Sequence, residues 1–180
     1  MRLALTGVPG TGKTTVAEAL AKQGVRVIHL NDFARAAGLL DEKDEARGAF
    51  LVDMDDLAER LNGVLEAETA TVVIEGHFAH EMDVDAIALL RLDPLVLVER
   101  LRARGWPEPK VRENVEAEAL DVLAQEVLDT GLPAVEIDAT RESVEAVAAQ
   151  VRAIADTAPQ ALNGTRVGSA RWALERLPWF

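Results

Sequence analysis

The chain has 180 residues, of which 49% are hydrophobic and 28% charged, a composition typical of one globular domain with a hydrophobic core. It contains no cysteine, which excludes disulfides, thiolate zinc sites and cysteine nucleophiles. Thirty-one acidic and nineteen basic residues give a formal net charge of -12, which argues against broad, nonspecific binding of nucleic acid.

The acidic surface has a second interpretation. Only four of the basic residues are lysines, and this scarcity together with the acid excess resembles proteins of salt-loaded cytoplasms, in which screening weakens self-repulsion. The alternative is an acidic protein of an ordinary cytoplasm. The first six residues run directly into a glycine-rich turn, and no apolar run of membrane-spanning length follows. We therefore expect a cytoplasmic protein without a signal peptide or membrane segment.

The amino-terminal elements follow one another closely. Residues 3–6 form a short apolar run, which predicts a strand that ends at a glycine-rich turn. Residues 13–22 have helical periodicity. Residues 25–30 are again apolar and predict a second strand. The order is therefore strand, glycine loop, helix, strand.

The next segment is more polar. A short helix is predicted at residues 33–37, with Asn31 or Asp32 as its cap. Residues 38–50 contain acidic residues and glycine and are predicted to form a polar excursion. Residues 53–68 carry leucines at helical spacing, which predicts a long amphipathic helix.

The remainder of the chain continues the alternation. Strands are predicted at 71–74, 86–92 and 133–138, and helices at 95–104, 109–128 and 142–155. Five short apolar strands alternating with helices indicate βαβ units. The predicted fold is therefore α/β, with a five-stranded parallel sheet covered by helices on both faces.

The last residues differ from this pattern. From about Thr157 onward, proline, asparagine and glycine interrupt the periodicity, and Arg166, Arg171 and Arg176 make the tail locally basic. We treat residues 156–180 as a carboxyl-terminal extension. It is either a packing appendage or a docking segment for a partner.

Residues 7–14 match the pattern G-x-x-x-x-G-K-[ST] in full, between a predicted strand and a predicted helix. Glycines such as Gly10 and Gly12 allow successive backbone N–H groups to approach phosphate oxygens. Lys13 contributes a positive charge to the β- and γ-phosphates, and the Thr14 hydroxyl can bind Mg²⁺. The loop predicts binding of a nucleoside triphosphate but does not define the reaction.

A second group of residues follows a buried strand. Glu75 stands at the carboxyl end of the predicted strand 71–74, where ligands bind in open α/β sheets. Its carboxylate can hold magnesium or orient a nucleophile, and His77 projects in a similar direction if the strand continues. The alternative is an acid that only ends a strand. His80 invites a metal-site interpretation, which we set aside because no other ligands cluster with it.

The third group is basic. Arg100 and Arg104 share one face of a predicted helix, and Arg104 precedes a helix junction suited to closing over a triphosphate. We predict a phosphate role for Arg104, whereas surface ion pairs are the favoured interpretation of Arg100 and Lys110. Arg91 is either a core-edge ion pair or a phosphate contact.

These motifs together resemble the CINAP-type adenylate kinases, which are small atypical nucleoside monophosphate kinases of archaea and eukaryotes linked to small ribosomal subunit maturation. The resemblance rests on residues 7–15, 31–35, 75–77 and 104–106 and covers roughly residues 1–155. The family commonly has Asp-x-His where this chain has Glu75-Gly76-His77. The extra methylene moves the carboxylate by about 1.5 Å, enough to alter the positioning of magnesium or water.

The resemblance implies a nucleoside monophosphate kinase domain at residues 1–155, with a monophosphate-binding region at about 30–50 and a short lid at about 103–113. It implies specific roles for the matching side chains. The implied catalytic residues are Lys13, Glu75, His77 and Arg104; the implied ATP contacts are Gly10, Gly12, Lys13, Thr14, Thr15, Arg104 and Thr140; the implied acceptor contacts are Asp32 and Arg35; the implied magnesium ligands are Thr14 and Glu75.

We therefore predict a Mg²⁺-dependent enzyme that transfers the γ-phosphate of ATP to a nucleoside monophosphate, with AMP as the expected acceptor, and that has intrinsic ATPase activity. A role in ribosome biogenesis follows only from the resemblance. One alternative is a nucleotide-driven assembly factor that acts mainly as an ATPase and binds a basic ribosomal protein through its acidic surface. Another is a P-loop kinase for a different small metabolite.

Overall fold

A five-stranded parallel sheet forms the centre of the protein. The computed structural model describes residues 1–44, 49–162, 167, 177 and 179. The strands are β1 (Arg2–Thr6), β2 (Arg26–His29), β3 (Leu40–Asp44), β4 (Ala49–Val52), β5 (Val72–Glu75), β6 (Ala86–Arg91) and β7 (Ala134–Asp138). The main sheet has the order β2-β5-β1-β6-β7, and β3 pairs with β4 in a separate two-stranded sheet.

The helices connect these strands in the expected alternation. They are α1 (Lys13–Lys22), α2 (Leu30–Ala36), α3 (Met54–Leu65), α4 (Pro94–Ala103), α5 (Glu108–Ala119), α6 (Val122–Asp129) and α7 (Val144–Ala155). Single 3-10 turns lie at Ala79–Glu81 and Pro159–Ala161.

The sheet divides the core into two layers because successive side chains of a strand point to opposite faces. Leu3 and Leu5 of β1 pack on one face with residues of α1 and α7. Ala4, between them, packs on the other face with residues of α3, α4 and α5. The five-stranded parallel sheet with helices on both faces confirms the predicted fold class.

All strands of the main sheet run parallel, so their carboxyl ends meet at one edge. β1 is central and lies between β5 and β6. In the register of β2 with β5, His29 is the partner of Glu75. This edge therefore brings together residues that are far apart in the chain, which is where ligands bind in open α/β sheets.

The predicted polar excursion at residues 38–50 lies outside the main sheet, and its described part contains two strands that the sequence did not indicate. The backbones of β3 and β4 pair as antiparallel strands, with Asp44 opposite Ala49. The charged residues of β3 gave no apolar alternation to indicate a strand, yet backbone pairing requires no apolar side chains. Residues 45–48 lie outside the described residues.

Two predictions about helices are wrong. The helix predicted at 109–128 is two helices, because Asp121 adopts a left-handed backbone conformation with φ 57° between α5 and α6. The apolar periodicity continues across Asp121, so the sequence does not indicate that one helix ends and another begins there. The short helix predicted at 33–37 begins earlier, at Leu30, with His29 at the cap position and no side-chain cap bond from Asn31 or Asp32.

The described residues of the tail contact the domain. Leu177 is buried in the core, and Val167 and Trp179 pack against the same cluster. The guanidinium carbon of Arg112 on α5 lies 5.8 Å from the centroid of the Trp179 ring. Arg166, Arg171 and Arg176 lie outside the described residues. Of the helices in the described ranges, none is both long and apolar enough to span a membrane.

Candidate functional site

The glycine-rich loop connects β1 to α1 at the carboxyl edge of the sheet. Gly10 has φ 98°, and a Cβ there would lie 2.6 Å from Cδ1 of Leu97 on α4. Gly12 has φ 106° and is the amino-terminal cap of α1. Both positions therefore require glycine, and the loop directs the positive end of α1 toward the space above it.

The Lys13 side chain folds back into this loop. Its ammonium donates hydrogen bonds to the carbonyl oxygens of Gly7, at 2.7 Å, and Val8, at 3.1 Å. Burial lowers the pKa of Lys13 from 10.5 to about 8, while the negative charge of Glu75 opposes this shift. The ammonium is therefore the main form at pH 7, so the loop holds a buried positive charge where phosphates would bind.

Glu75 lies beside the loop at the end of β5. Its side chain is buried and accepts a hydrogen bond at Oε1 from the Thr14 hydroxyl, at 3.2 Å. The second oxygen, Oε2, lies 2.8 Å from Nδ1 of His29. The structure thus brings Glu75 and Thr14 together, as the sequence predicted for a metal site, and adds a histidine.

The oxygen atoms of Thr14 and Glu75 suit a magnesium ion. Mg²⁺ takes oxygen ligands at about 2.0–2.1 Å in an octahedron, which places adjacent ligand oxygens about 3 Å apart. The 3.2 Å between Thr14 Oγ1 and Glu75 Oε1 is close to that spacing. The described residues contain no group of three or more histidine, aspartate or glutamate side chains that could hold a metal. A magnesium ion here would need water and phosphate oxygens as further ligands, which is usual for Mg²⁺.

The Thr6 hydroxyl contacts both His77, through its backbone carbonyl oxygen, and His80, through its ring. Nδ1 of His77 is 3.2 Å from the carbonyl oxygen of Gly7, so the ring touches the start of the phosphate loop. Burial lowers the pKa of His77, and the charge of Lys13 lowers it further. His80 is buried, with Nδ1 3.4 Å from the Thr6 hydroxyl and Nε2 3.6 Å from Glu126. The ring of His77 therefore contacts the loop, whereas the ring of His80 lies between Thr6 and Glu126.

The two arginines of α4 have different positions. A guanidinium nitrogen of Arg100 donates to the carbonyl oxygen of Thr11 at 3.4 Å, which places this side chain on the loop. Arg104 is exposed at the carboxyl-terminal cap of α4, and its charge contributes to lowering the pKa of Lys13. Lys110 is paired with Glu113 at 3.0 Å on α5. The structure therefore places Arg100 in contact with the loop, whereas Arg104 is exposed at the end of α4.

Arg91 adopts the ion-paired alternative. It is 1% exposed, and its guanidinium donates to Glu118, to Asp121 and, at 3.2 Å, to Glu136. One carboxylate oxygen of Glu118 also accepts from the backbone N–H of Leu92 at 3.0 Å. This network ties the end of β6 to the break between α5 and α6.

The predicted acceptor and adenine contacts lie on the same edge of the sheet. Asp32 and Arg35 are exposed on α2 and form an ion pair at 2.8 Å. The hydroxyl of Thr140 accepts a hydrogen bond from the backbone N–H of Asp93 at 2.9 Å, which joins the ends of β6 and β7. Thr15 is exposed on the first turn of α1. None of these residues contacts Lys13 through a hydrogen bond among the described residues.

His29 is the residue that the sequence did not indicate. It ends an apolar strand, and such a histidine has no distinctive spacing to other polar residues. Its proximity to Glu75 depends on β2 being the neighbour of β5, and strand order is not visible in the chain itself. Only the position of both residues at strand ends gave a signal.

Comparison with known proteins finds a matching family model and similar curated proteins. Residues 3–121 match the family model described as an AAA domain. Several curated relatives bear the name "Putative adenylate kinase". The one from Natronomonas pharaonis is 45% identical over 158 residues, covering 87% of this chain and 90% of the relative. The one from Archaeoglobus fulgidus is 39% identical over 176 residues, covering 97% of this chain and 93% of the relative, so this match extends beyond residue 155.

A solved structure supports the fold. The crystal structure of shikimate kinase from Bacteroides thetaiotaomicron superposes with a TM-score of 0.57 and covers 87% of this chain and 99% of that one. The two sequences are 22% identical, so the likeness concerns the fold alone. The sheet and helices described above therefore share the fold of that structure.

Proposed function

Because the chain belongs to the AAA domain family and is a relative of the archaeal adenylate kinases just described, we propose that it transfers the γ-phosphate of ATP to AMP. One oxygen of the AMP phosphate attacks the γ-phosphorus, the bond between that phosphorus and the β–γ bridging oxygen breaks, and two molecules of ADP result. At the coarser level, the chain is a nucleoside monophosphate kinase.

The observation that carries this proposal is the buried Lys13 ammonium inside the glycine loop, 2.7 Å from the Gly7 carbonyl oxygen, with the Glu75 carboxylate and Thr14 hydroxyl beside it. Phosphoryl transfer requires positive charge and positioning more than covalent chemistry. Lys13 supplies a cation that low exposure keeps partly desolvated, which strengthens its attraction to phosphate. Arg100, which already contacts the loop, and Arg104 at the end of α4 add positive charge around the γ-phosphate.

We assign the two sides of the loop to the two substrates. The region of residues 30–50, with Asp32 and Arg35, holds the monophosphate, and Thr140 lies near the adenine of ATP. The junction between α4 and α5, within residues 103–113, acts as the lid. Closure of both segments excludes water, which otherwise competes with AMP for the γ-phosphate.

Thr14 and Glu75 would hold the magnesium ion that accompanies ATP. When bound, Mg²⁺ neutralises charge on the phosphate oxygens. The supporting observation is the spacing of their oxygen atoms, 3.2 Å. His77, next to the loop and with a pKa lowered by burial, is neutral at pH 7 and lines the same space as a hydrogen-bonding group.

A panel of acceptors tests the proposal. Purified protein is incubated with ATP, Mg²⁺ and AMP, dAMP, CMP, GMP or UMP in turn, and the nucleotides are separated by chromatography. We expect ADP to form from ATP and AMP together, and Lys13→Ala to lose at least about a hundredfold in turnover, since Lys13 is the buried cation of the loop. Wild-type turnover in that variant contradicts the mechanism. If ATP stays unconsumed with every monophosphate, a kinase for another small metabolite is favoured.

A second function has its own supporting observation, the net charge of -12. As a nucleotide-driven assembly factor resembling the CINAP-type proteins, the chain would bind a basic protein of the small ribosomal subunit and release it upon ATP hydrolysis. Phosphate release distinguishes the two. ADP with free phosphate and unconsumed AMP indicates an ATPase, whereas consumption of one AMP per ATP indicates the kinase.

The same net charge supports a proposal about the salt concentration in which the protein works. We place the protein in a cytoplasm rich in salt, where a Debye length of about 3 Å near 1 M salt screens the repulsion between its acidic side chains. ATP and AMP are both available in that compartment.

A further inference from the structure

His29 and Glu75 form a contact between two strand ends. His29 is the last residue of β2 and Glu75 the last residue of β5, and they are partners in the parallel register. Nδ1 of His29 lies 2.8 Å from Oε2 of Glu75. A carboxylate only accepts hydrogen bonds, so the ring nitrogen is the donor. Thr14 donates to the other oxygen, Oε1, at 3.2 Å.

We infer that His29 is a positioning residue, which fixes the Glu75 carboxylate so that Oε1 is presented beside the Thr14 hydroxyl to magnesium-bound nucleotide. The inference rests on the proposed function, because it concerns the metal that accompanies ATP. His29 does not act on the phosphates itself. Its effect passes through Glu75.

The need for such a residue follows from the length of the glutamate side chain. Glutamate has three rotatable side-chain bonds, and holding its carboxylate in one orientation costs conformational entropy. A hydrogen bond to each oxygen removes that freedom before the metal binds. Groups that orient a metal ligand in this way typically change metal affinity by about 10- to 100-fold when removed.

The histidine is itself held in place. The next residue, Leu30, is buried against Gly76, where a Cβ would lie only 2.9 Å from the Leu30 Cβ. This close approach anchors the junction between β2 and α2. His29 is also the cap residue of α2, so its ring connects the Glu75 carboxylate to the helix that carries Asp32 and Arg35.

The test measures binding rather than turnover. A non-hydrolysable ATP analogue is titrated into the full-length protein by calorimetry, once with EDTA and once across a series of Mg²⁺ concentrations. The gain in affinity caused by Mg²⁺ is the readout. We expect His29→Ala to reduce that gain by about tenfold and to leave the affinity in EDTA unchanged.

Two variants control for structural damage. His29→Asn keeps a donor, because the amide nitrogen of asparagine lies about as far from Cα as Nδ1 of histidine, and we expect it to restore most of the gain. Arg26→Ala changes the other end of β2, where the guanidinium pairs with Glu68 at the surface, and we expect the wild-type gain. Thermal unfolding of each variant verifies that the fold is intact.

A double-mutant cycle shows whether His29 acts through Glu75. In the Glu75→Gln background, His29→Ala should have almost no further effect on the Mg²⁺ gain. The inference is overturned if His29→Ala keeps the full Mg²⁺-dependent gain in affinity. It is also overturned if His29→Ala reduces that gain by the same factor in the wild-type and the Glu75→Gln backgrounds. If the wild-type protein does not bind the analogue, the proposed function is contradicted. If the wild-type protein binds it and His29→Ala shows the same Mg²⁺-dependent gain in affinity, only the positioning role is contradicted.

Discussion

The buried Lys13 ammonium makes ATP binding depend on pH in a defined direction. Burial lowers the pKa of Lys13 to about 8, so the ammonium loses its proton well below the usual range for lysine. Only the protonated form attracts phosphate. The affinity for ATP is therefore expected to fall as the pH rises through 8, and to be nearly constant below 7.

The size of the effect follows from that pKa. About nine-tenths of the Lys13 side chains are protonated at pH 7 and about one-tenth at pH 9. If ATP binds the protonated form alone, the dissociation constant rises about tenfold between these values, which corresponds to about 1.4 kcal/mol. His77 does not contribute in this range, because burial lowers its pKa from 6.5.

Calorimetric titration of ATP in EDTA at several pH values measures this dependence. Lys13→Arg is the matched control, because arginine keeps its positive charge over the whole pH range. Any pH dependence that comes from titration of ATP itself is still present in this variant. Glu75→Gln should shift the midpoint to lower pH, because the Glu75 charge raises the pKa of Lys13. A flat wild-type profile, or the same slope in Lys13→Arg, refutes the reasoning.

Three further predictions concern stability and the loop. Arg91→Met leaves the buried Glu118 carboxylate without its cation. We expect this substitution to lower the free energy of unfolding by about 3–5 kcal/mol and the Tm by roughly 10 °C, measured by calorimetry, and we expect Glu118→Gln in the same chain to restore part of the loss. An unchanged Tm contradicts this prediction. Gly10→Ala should abolish ATP binding, because φ is 98° and the new Cβ would meet Leu97; wild-type affinity would show that the loop tolerates a side chain. Lowering KCl from 3 M to 0.1 M should lower Tm, and salt-independent unfolding counts against a salt-rich setting.

Much of the fold was predictable because parallel strands buried on both faces are continuous apolar runs. Each of the five predicted runs overlaps a strand of the main sheet, and the phosphate loop has a pattern specific enough to be identified by itself. These features depend on local sequence. Thr14 and Glu75, the two predicted magnesium ligands, also lie together, since Thr14 is in the first turn of α1 directly after the loop and Glu75 ends β5.

The remaining features depend on contacts between distant residues. The break at Asp121 coincides with a hydrogen bond from Arg91, thirty residues earlier, and the apolar periodicity of α5 and α6 gives no sign of it. The pairing of β3 with β4 relies on backbone hydrogen bonds, and the charged sequence of β3 gives no indication of a strand. The His29–Glu75 contact requires the order of strands, which only the folded sheet reveals.

The most direct measurement of the central claim follows the phosphate itself. The protein is supplied with ATP labelled at the γ-phosphate, unlabelled AMP and Mg²⁺, and the products are separated before equilibrium is reached. Direct transfer predicts that the label appears in the β-phosphate of ADP, with one AMP consumed for each ATP. Label recovered as inorganic phosphate while AMP persists would contradict the assignment of a nucleoside monophosphate kinase.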